Sequence, residues 1–398
     1  MKAVILCAGE GSRMGLVGEQ IPKPLLKLNG KSMIHRWFDY FKKHSINEFY
    51  INTFHLAEMV EEEIGDGSKY GVKVHWYRQP GKMGTASILK EFKLDEQDEP
   101  FVVVFGDSLT TLDLQPILDH HKEKGADVTL LGRKHHEPWR KGVITIDGDQ
   151  RITHMVEKPD LKELAPNQYC VSSIAIINPD MIKHVDSDQE WLGMEFYPKL
   201  LERKCHLTFK ERPKNDNAGD VNNTENFYKL DAYLREKEGS PNVEVAMIDR
   251  DGTLNVRSPQ GSYALVDFPF KLFPFALDSL KKLKEAKIKN LLVTNQACIG
   301  KGYLTRETLD KTHQEAFGEL FDDYYVCEHI HGTCTCRKPW PDMLKKAIKD
   351  HNIDIQKAVF IGDTEYDEAA ALAVGVRFIK VDDKFTFADA VNQILSED

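Results

Sequence analysis

Two series of short apolar runs limit what this chain can fold into more than any other feature. The first is KAVILCA (2 to 8), EFYINTF (48 to 54), FVVVFGD (101 to 107) and DVTLLGR (127 to 133). The second is VAMIDRD (245 to 251), NLLVTNQ (290 to 296), AVFIGDT (358 to 364) and VRFIKVD (376 to 382). Runs this short, bounded by turn residues, read as buried strands, and the stretches between them carry helical spacing. Strand alternating with helix predicts α/β architecture: two Rossmann-like, three-layer domains with mainly parallel sheets, which bind ligands at the C-terminal ends of their strands. Between the series lies NFYKLDAYLREKEGSPNVEV, where Phe227, Leu230 and Leu234 keep helical spacing until GSPN (239 to 242) breaks it. The boundary is expected there, giving domains at 1–238 and 243–398. A length of 398 residues agrees with this, since each part is long enough to bury its own core.

Composition narrows the function classes. With 41% hydrophobic and 29% charged residues the chain has an ordinary globular make-up, and a formal net charge of -10 leaves no broad basic surface for nucleic acid or an anionic membrane. Lysines that meet phosphate must therefore do so locally. No apolar run approaches the roughly 20 residues of a membrane span, and MKAVILCAGEGSRMG turns to glycine and charge too early for a signal peptide, so a cytoplasmic protein is expected. Seven cysteines, an odd and uneven set, suit a reducing compartment better than a disulfide framework. No internal repeat or low-complexity tract is evident.

Directly after the first run comes CAGEGSRMG, residues 7 to 15. Its third glycine falls one position too late for the dinucleotide pattern G-x-G-x-x-G, but its N–H groups can surround phosphate and Arg13 can fork onto it. Farther on, in IPKPLLKLNGKSMI, Lys23 stands between two prolines that fix the backbone and so aim its ammonium. A glycine loop paired with a proline-framed lysine resembles the sugar-1-phosphate nucleotidylyltransferase family. MGTA (83 to 86), FGD (105 to 107), EKP (157 to 159) and GDVNNTENFYK (219 to 229) follow in that family's order. A G-x-G alone is more often a turn and an isolated lysine more often solvated, so the ordered set carries the resemblance, over roughly residues 1 to 235.

The resemblance implies attack of a sugar phosphate oxygen on the α-phosphorus of a nucleoside triphosphate, catalysed by positioning and cationic stabilisation. Asp107 and Asp220 are expected to hold Mg²⁺, which prefers hard oxygen ligands. Arg13 and Lys23 would neutralise the triphosphate, and Lys158 would clamp the phosphate of the incoming sugar. Gln79 and Gly84 are candidates for reading the base, and Gly9 and Gly11 are implied to approach the nucleotide closely. Cys7 where alanine is common and Asn222 where glycine is common depart from the family pattern.

The second half opens with VAMIDRDGTLN, an apolar run that ends in two aspartates one residue apart. DRDGT, a later strand ending in TNQ, a lysine in RKP and a final GDTEYD resemble the four ordered motifs of the haloacid dehalogenase superfamily, from about residue 243 onward. A strand-end D-x-D alone reads as helix caps or turn residues; the later Thr294, Lys338 and Asp363 set that reading aside. The resemblance implies that Asp249 is the nucleophile, carrying the phosphoryl group as an aspartyl phosphate. Asp251 would protonate the leaving oxygen and then deprotonate the hydrolytic water. Mg²⁺ would be bound by Asp249, the backbone carbonyl of Asp251, and Asp363. Thr294 and Asn295 would hold phosphoryl oxygens, Lys338 would neutralise the charge between nucleophile and phosphoryl group, and Asp367 would orient Lys338 or a metal water.

Between these motifs, CEHIHGTCTCRKP (327 to 339) packs three of the seven cysteines and two histidines into ten residues. Cys327, His329, Cys334 and Cys336 suit a closed, structural Zn²⁺ shell, with His331 as an alternative to His329, and reduced cysteines that merely pack as the dry alternative. Zinc there would fix the backbone that presents Lys338. The loop, DRDGTLN and TNQACIGKGY together resemble the branch of D-glycero-D-manno-heptose-1,7-bisphosphate 7-phosphatases and histidinol-phosphate phosphatases. Ala297, Cys298 and Lys301 depart from the residues common there, and Lys301 could meet a distal phosphate only as a point charge. The short second half leaves no room for a large cap, so an open site is expected.

The halves read as successive steps: a sugar bisphosphate loses its distal phosphate, and the sugar 1-phosphate is then activated by GTP first, with CTP or ATP behind it. Heptose 1,7-bisphosphate fits that logic and histidinol phosphate does not. Alternatives are a cytidylyltransferase for a polyol or choline-like phosphate, a nucleic-acid end-processing enzyme, which the acidic balance disfavours, and a non-catalytic scaffold, which the intact carboxylates disfavour.

Overall fold

The computed structural model describes residues 1–164, 168–213, 216 and 219–397. The chain divides into two units. The first comprises Met1–Gly11, Pro22–Leu25 and Ser32–Phe227; the second comprises Ser12–Ile21, Leu26–Lys31 and Tyr228–Asp398. The division passes inside the helix Thr224–Glu238, ahead of GSPN. Tyr228 on that helix packs beside the second unit's core and donates its hydroxyl to Glu368 at 2.8 Å.

The first unit is built on a nine-stranded sheet. Lys73–Arg78, Glu48–Thr53, Lys2–Leu6 and Phe101–Phe105 run parallel, with Leu6 level with Phe105. Ala3, Val4 and Ile5 are fully buried, as expected for a strand covered on both faces. Beyond Phe101–Phe105 the sheet turns antiparallel through Gln168–Ile177, which pairs in turn with Val128–Arg133 and Gly142–Ile146. Gly142–Ile146 and Ile152–Glu157 form a hairpin closed by Asp147, whose amide donates to the Arg151 carbonyl. Neither hairpin strand stands out in the sequence, because the alternation is interrupted by polar positions such as Thr145, Thr153 and His154.

The second unit carries a five-stranded, wholly parallel sheet in the order Asp323–Cys327, Lys289–Asn295, Val245–Ile248, Ala358–Gly362, Arg377–Lys380. Its central strand faces two cores in alternation. Ala246 and Ile248 join one with Leu280, Leu283, Val391 and Ile394, while Val245 and Met247 join the other with Met343, Leu344 and Ala347. The flanking helices bury one stripe each, such as Phe387, Ala390, Val391 and Ile394 of the helix Phe387–Ser396, a spacing that keeps them on one face. This is the doubly wound arrangement in which the ends of the central strands form the binding edge. Between Asp249 and Thr294 the chain makes an irregular stretch and the helix Ala276–Glu285, with no inserted cap domain among the described residues. Mixed α/β architecture with mainly parallel sheets thus holds for the chain.

Candidate functional site

Three strand ends of the second unit converge on one buried ion-pair cluster. Val245–Ile248 delivers Asp249, Lys289–Asn295 ends in Thr294 and Asn295, and Ala358–Gly362 is followed by Asp363. Lys338 places its Nζ 2.7 Å from Asp249 Oδ1 and 2.5 Å from Asp367 Oδ1, and donates to the Val293 carbonyl at 2.9 Å. Two hydrogen bonds and a second ion pair therefore hold the ammonium in place. Burial, with Asp367 and then Asp363 nearby, pushes the Asp249 carboxyl upward against the pull of Lys338. Burial alone would lower the Lys338 ammonium, but Asp249 and Asp367 hold it above its ordinary value.

Carboxylate oxygens of Asp249, Asp363 and Asp367 lie within 4.8 Å of one another. With Lys338 and Arg257 set against three acids, the cluster keeps one carboxylate in excess and offers hard oxygens, which fits a divalent cation such as Mg²⁺. Gly252, at φ 93°, stands where an added Cβ would run into the Asp363 carboxylate, so this corner requires glycine.

Asp251 is held differently. Arg250 Nη2 donates to its Oδ1 and Oδ2 at 2.8 and 2.9 Å, Asn255 Nδ2 to Oδ1 at 2.9 Å, and Gln296 Nε2 to Oδ2 at 2.8 Å. Burial favours the protonated acid, yet Arg250, Asn255 and Gln296 together bring Asp251 below its ordinary value. Two neighbouring aspartates are thus driven in opposite directions by their surroundings, Asp249 upward and Asp251 downward. Arg250 is itself 1% exposed, lies over the Phe270 ring at 5.3 Å and donates to His313 Nε2 at 3.3 Å.

Thr294 Oγ1 accepts from Gln296 Nε2 at 2.9 Å and keeps its own proton to donate. The Asn295 side chain is spent on Lys338, exchanging hydrogen bonds of 3.1 Å with its backbone N–H and carbonyl. It bears on the site through the lysine's backbone, where a direct hold on phosphoryl oxygens was expected. A cavity of about 310 Å³ opens over the cluster, lined by Asp249, Asn295, Lys338, Arg257, Arg337 and Tyr366 among others. Lys301 is exposed and donates to the Tyr263 hydroxyl at 2.8 Å. Arg250, Gln296 and Arg337 stand inside DRDGT, TNQ and RKP and Arg257 in no motif, but for all four the partners are set by the fold.

Cys327, His329, Cys334 and Cys336 come together as one group. Cys336 Sγ lies 3.3 to 3.4 Å from the other three ligand atoms, and Cys327 Sγ lies 3.7 Å from Cys334 Sγ and 3.8 Å from His329 Nδ1. A tetrahedron around Zn²⁺ with thiolates at about 2.3 Å has edges of about 3.7 Å, so this donor set fits that metal. His331 stands apart from the group and lines the cavity instead.

In the first unit, the short strands Ser108–Leu109 and Gly219–Asp220 pair antiparallel, and Val221 N donates to the Asp107 carbonyl at 2.7 Å. Asp107 and Asp220 are brought side by side from distant parts of the sequence. Each meets a lysine: Lys23 lies 3.3 Å from Asp107, and Lys141, which no sequence motif marks, lies 3.0 Å from Asp220. Lys158 is exposed at φ 49°, in the left-handed region that L side chains disfavour, and its amide donates to the Lys141 carbonyl. Gln79 is buried, with its amide on the Thr53 carbonyl. Gly84 presses against the Glu190 backbone so closely that any Cβ would collide. A methyl on Gly9 would meet nothing within 4 Å, leaving that backbone approachable, and Gly11 has φ 67°. Arg13, exposed on the turn Ser12–Met14, groups with the second unit.

The nucleotidyl transferase family model matches residues 2–234, and the chain belongs to that family. The haloacid dehalogenase-like hydrolase model matches residues 225–375. A UTP–glucose-1-phosphate uridylyltransferase of Synechocystis sp. is 31% identical over 216 residues, which cover 51% of this chain and 55% of that protein. A D-glycero-alpha-D-manno-heptose 1-phosphate guanylyltransferase of Aneurinibacillus thermoaerophilus is 29% identical over 201 residues, covering 50% of this chain and 86% of that one. The chain spans little more than half the length of several curated relatives it matches. In fold, it is similar to a solved apo UDP-glucose pyrophosphorylase, with a TM-score of 0.51 at 16% identity over 60% of this chain and 98% of that one. Among the described residues no helix is long and apolar enough to cross a membrane.

Proposed function

We propose that this chain carries out two consecutive reactions: removal of the distal phosphate from a sugar bisphosphate, and nucleotidyl transfer onto the remaining sugar 1-phosphate. The observation that carries the reading is one chain holding two lysine-bearing carboxylate centres, Asp249 with Lys338 and Asp107 with Lys23, in segments that match a hydrolase and a transferase family. Relatives named as guanylyltransferases of heptose 1-phosphate and mannose 1-phosphate support GTP as the nucleotide and a heptose 1-phosphate as its acceptor, which the hydrolase step would make from heptose 1,7-bisphosphate.

In the hydrolase step an Asp249 oxygen attacks phosphorus and the sugar oxygen leaves, taking a proton from Asp251. Water then gives a proton back to Asp251 and attacks the aspartyl phosphate, releasing inorganic phosphate and restoring both acids. Arg250, Asn255 and Gln296 hold Asp251 in the ionised form that suits the water-activating half. Lys338, locked by Asp367, keeps a positive charge beside the nucleophile through both halves. Asp249, the Asp251 carbonyl and Asp363 would hold Mg²⁺, which supplies charge neutralisation at the phosphoryl oxygens. In the transferase step an oxygen of the anomeric phosphate attacks the α-phosphorus of the triphosphate and pyrophosphate leaves. Lys23 serves the triphosphate and Lys158 the sugar phosphate, and Asp107 and Asp220 would hold a second Mg²⁺. Cys327, His329, Cys334 and Cys336 would hold Zn²⁺ in a structural part.

Phosphorus NMR of heptose 1,7-bisphosphate with GTP and Mg²⁺ tests the order. The 7-phosphate signal should vanish before any nucleotide sugar forms. A nucleotide sugar that still carries the 7-phosphate, or loss of the anomeric phosphate first, would overturn the proposal.

A further inference from the structure

Arg257 stands on the oxygens assigned to the metal. Its Nη2 donates to Asp363 Oδ1 at 2.6 Å and to the Asp251 carbonyl at 2.8 Å, while its Nε donates to Asp363 Oδ2 at 3.0 Å. One nitrogen therefore bridges a carboxylate and a backbone carbonyl, which are two of the three oxygens the hydrolase reading gives to Mg²⁺. A cation held by both would compete with that nitrogen for the space between the two oxygens, and two positive centres that close repel each other.

The two cations of this site are held unequally. Lys338 is 3% exposed and pairs with both Asp249 and Asp367, whereas the Arg257 side chain is 48% exposed. A half-exposed guanidinium gives up such an ion pair readily, since water screens it and rehydrates it on leaving. A small dication that prefers hard oxygens is the stronger claimant for the same ligands. Arg257 also lines the cavity that contains Asp249, Thr294 and Lys338, so a guanidinium displaced from Asp363 stays within reach of an anion entering there. Its planar fork matches two oxygens of a phosphate at once.

We propose that Arg257 is an exchangeable substrate-binding residue: it pairs with Asp363 and the Asp251 carbonyl until the divalent cation takes those oxygens, and then turns its charge to a phosphate of the substrate. The inference rests on the hydrolase reading of this site. It adds a residue to substrate recognition and gives the site a binding order, metal before phosphate ester.

The test uses full-length protein carrying Asp220→Asn, which silences the first unit's carboxylate pair, with Mn²⁺ as the probe read by electron paramagnetic resonance. Arg257→Met should bind Mn²⁺ about tenfold more tightly, as expected when a competing charge-assisted contact is removed. In the otherwise unaltered chain the same change should raise KM for the bisphosphate by about tenfold with little change in kcat, the mark of lost ground-state binding. Arg257→Lys should restore the competition with Mn²⁺ and only part of the KM. Unchanged or weaker Mn²⁺ binding in Arg257→Met, with folding intact by circular dichroism, would overturn the exchange. Asp363→Asn separates this from failure of the underlying reading: if that variant still binds Mn²⁺ at full strength, the metal-site assignment falls.

Discussion

At the scale of single residues, the second unit keeps charges inside its core only where each has a partner. Arg250 is nearly inaccessible, and its positive charge is met by Asp251 on one side and an imidazole nitrogen on the other. That contact dictates the state of His313, since Nε2 must accept and the ring must stay neutral. Burial first, then the Arg250 charge, pushes His313 down to about 3 from an ordinary 6.5. The unfolded chain therefore takes up a proton near pH 6.5 that the folded chain refuses. Stability from this group is full above that pH and declines as pH falls towards 3. His313→Gln, which leaves an acceptor for Arg250, should flatten the fall of melting temperature between about pH 6.5 and 4. An identical pH slope in the variant would assign the acid sensitivity elsewhere.

At the scale of elements, a strand end, a cysteine loop and a lysine form one continuous device. Asp323–Cys327 ends in the first thiol, the chain turns through His329, Cys334 and Cys336, and Lys338 follows two residues later. Holding the loop by its ligands would fix where Lys338 begins, and the Asn295 clamp on the Lys338 backbone fixes it a second time. Protein purified without added zinc should retain about one equivalent per chain, because clustered thiolates bind zinc tightly at neutral pH. Cys334→Ser should lose that zinc and melt several degrees lower, a drop in the range of a lost structural interaction of about 1 to 2 kcal/mol. Elemental analysis and thermal melts check both. Far less than half an equivalent, with Cys334→Ser as stable as the parent, would leave the cluster as packed thiols.

At the scale of the whole molecule, the two carboxylate centres are made from separate residues and should fail separately. Asp249→Asn should abolish phosphate release while nucleotidyl transfer from a supplied sugar 1-phosphate stays within about twofold, and Asp107→Ala should do the reverse, by several orders of magnitude in each case. Parallel assays of both variants decide it, and loss of both activities in a folded variant would mean the centres depend on each other.

Much of this was legible in the sequence. Both strand series and the clustered cysteines rest on local signals, apolar period and close spacing; Asp249 with Lys338 and Asp107 with Asp220 came from motif order and the resemblance it carries, and the division falls at Phe227 and Tyr228, ahead of the breaker at GSPN. The hairpin strands Gly142–Ile146 and Ile152–Glu157 were not legible, because mixed polar positions hide a period of two. Nor could local spacing show which cation meets which acid. Lys141 reaches Asp220 across 79 residues, Arg257 reaches Asp363 across 106, and the grouping of Ser12–Ile21 with the second unit spans still more chain. Periodicity is a property of neighbours along the backbone, so the sequence by itself determined strands, helices and the carboxylates at their ends. Ion pairs depend on distances of a few ångströms between residues remote in the chain, and only the tertiary structure decided that Asn295 serves Lys338, that Gln296 serves Asp251, and that the Arg257 guanidinium stands on Asp363 and the Asp251 carbonyl.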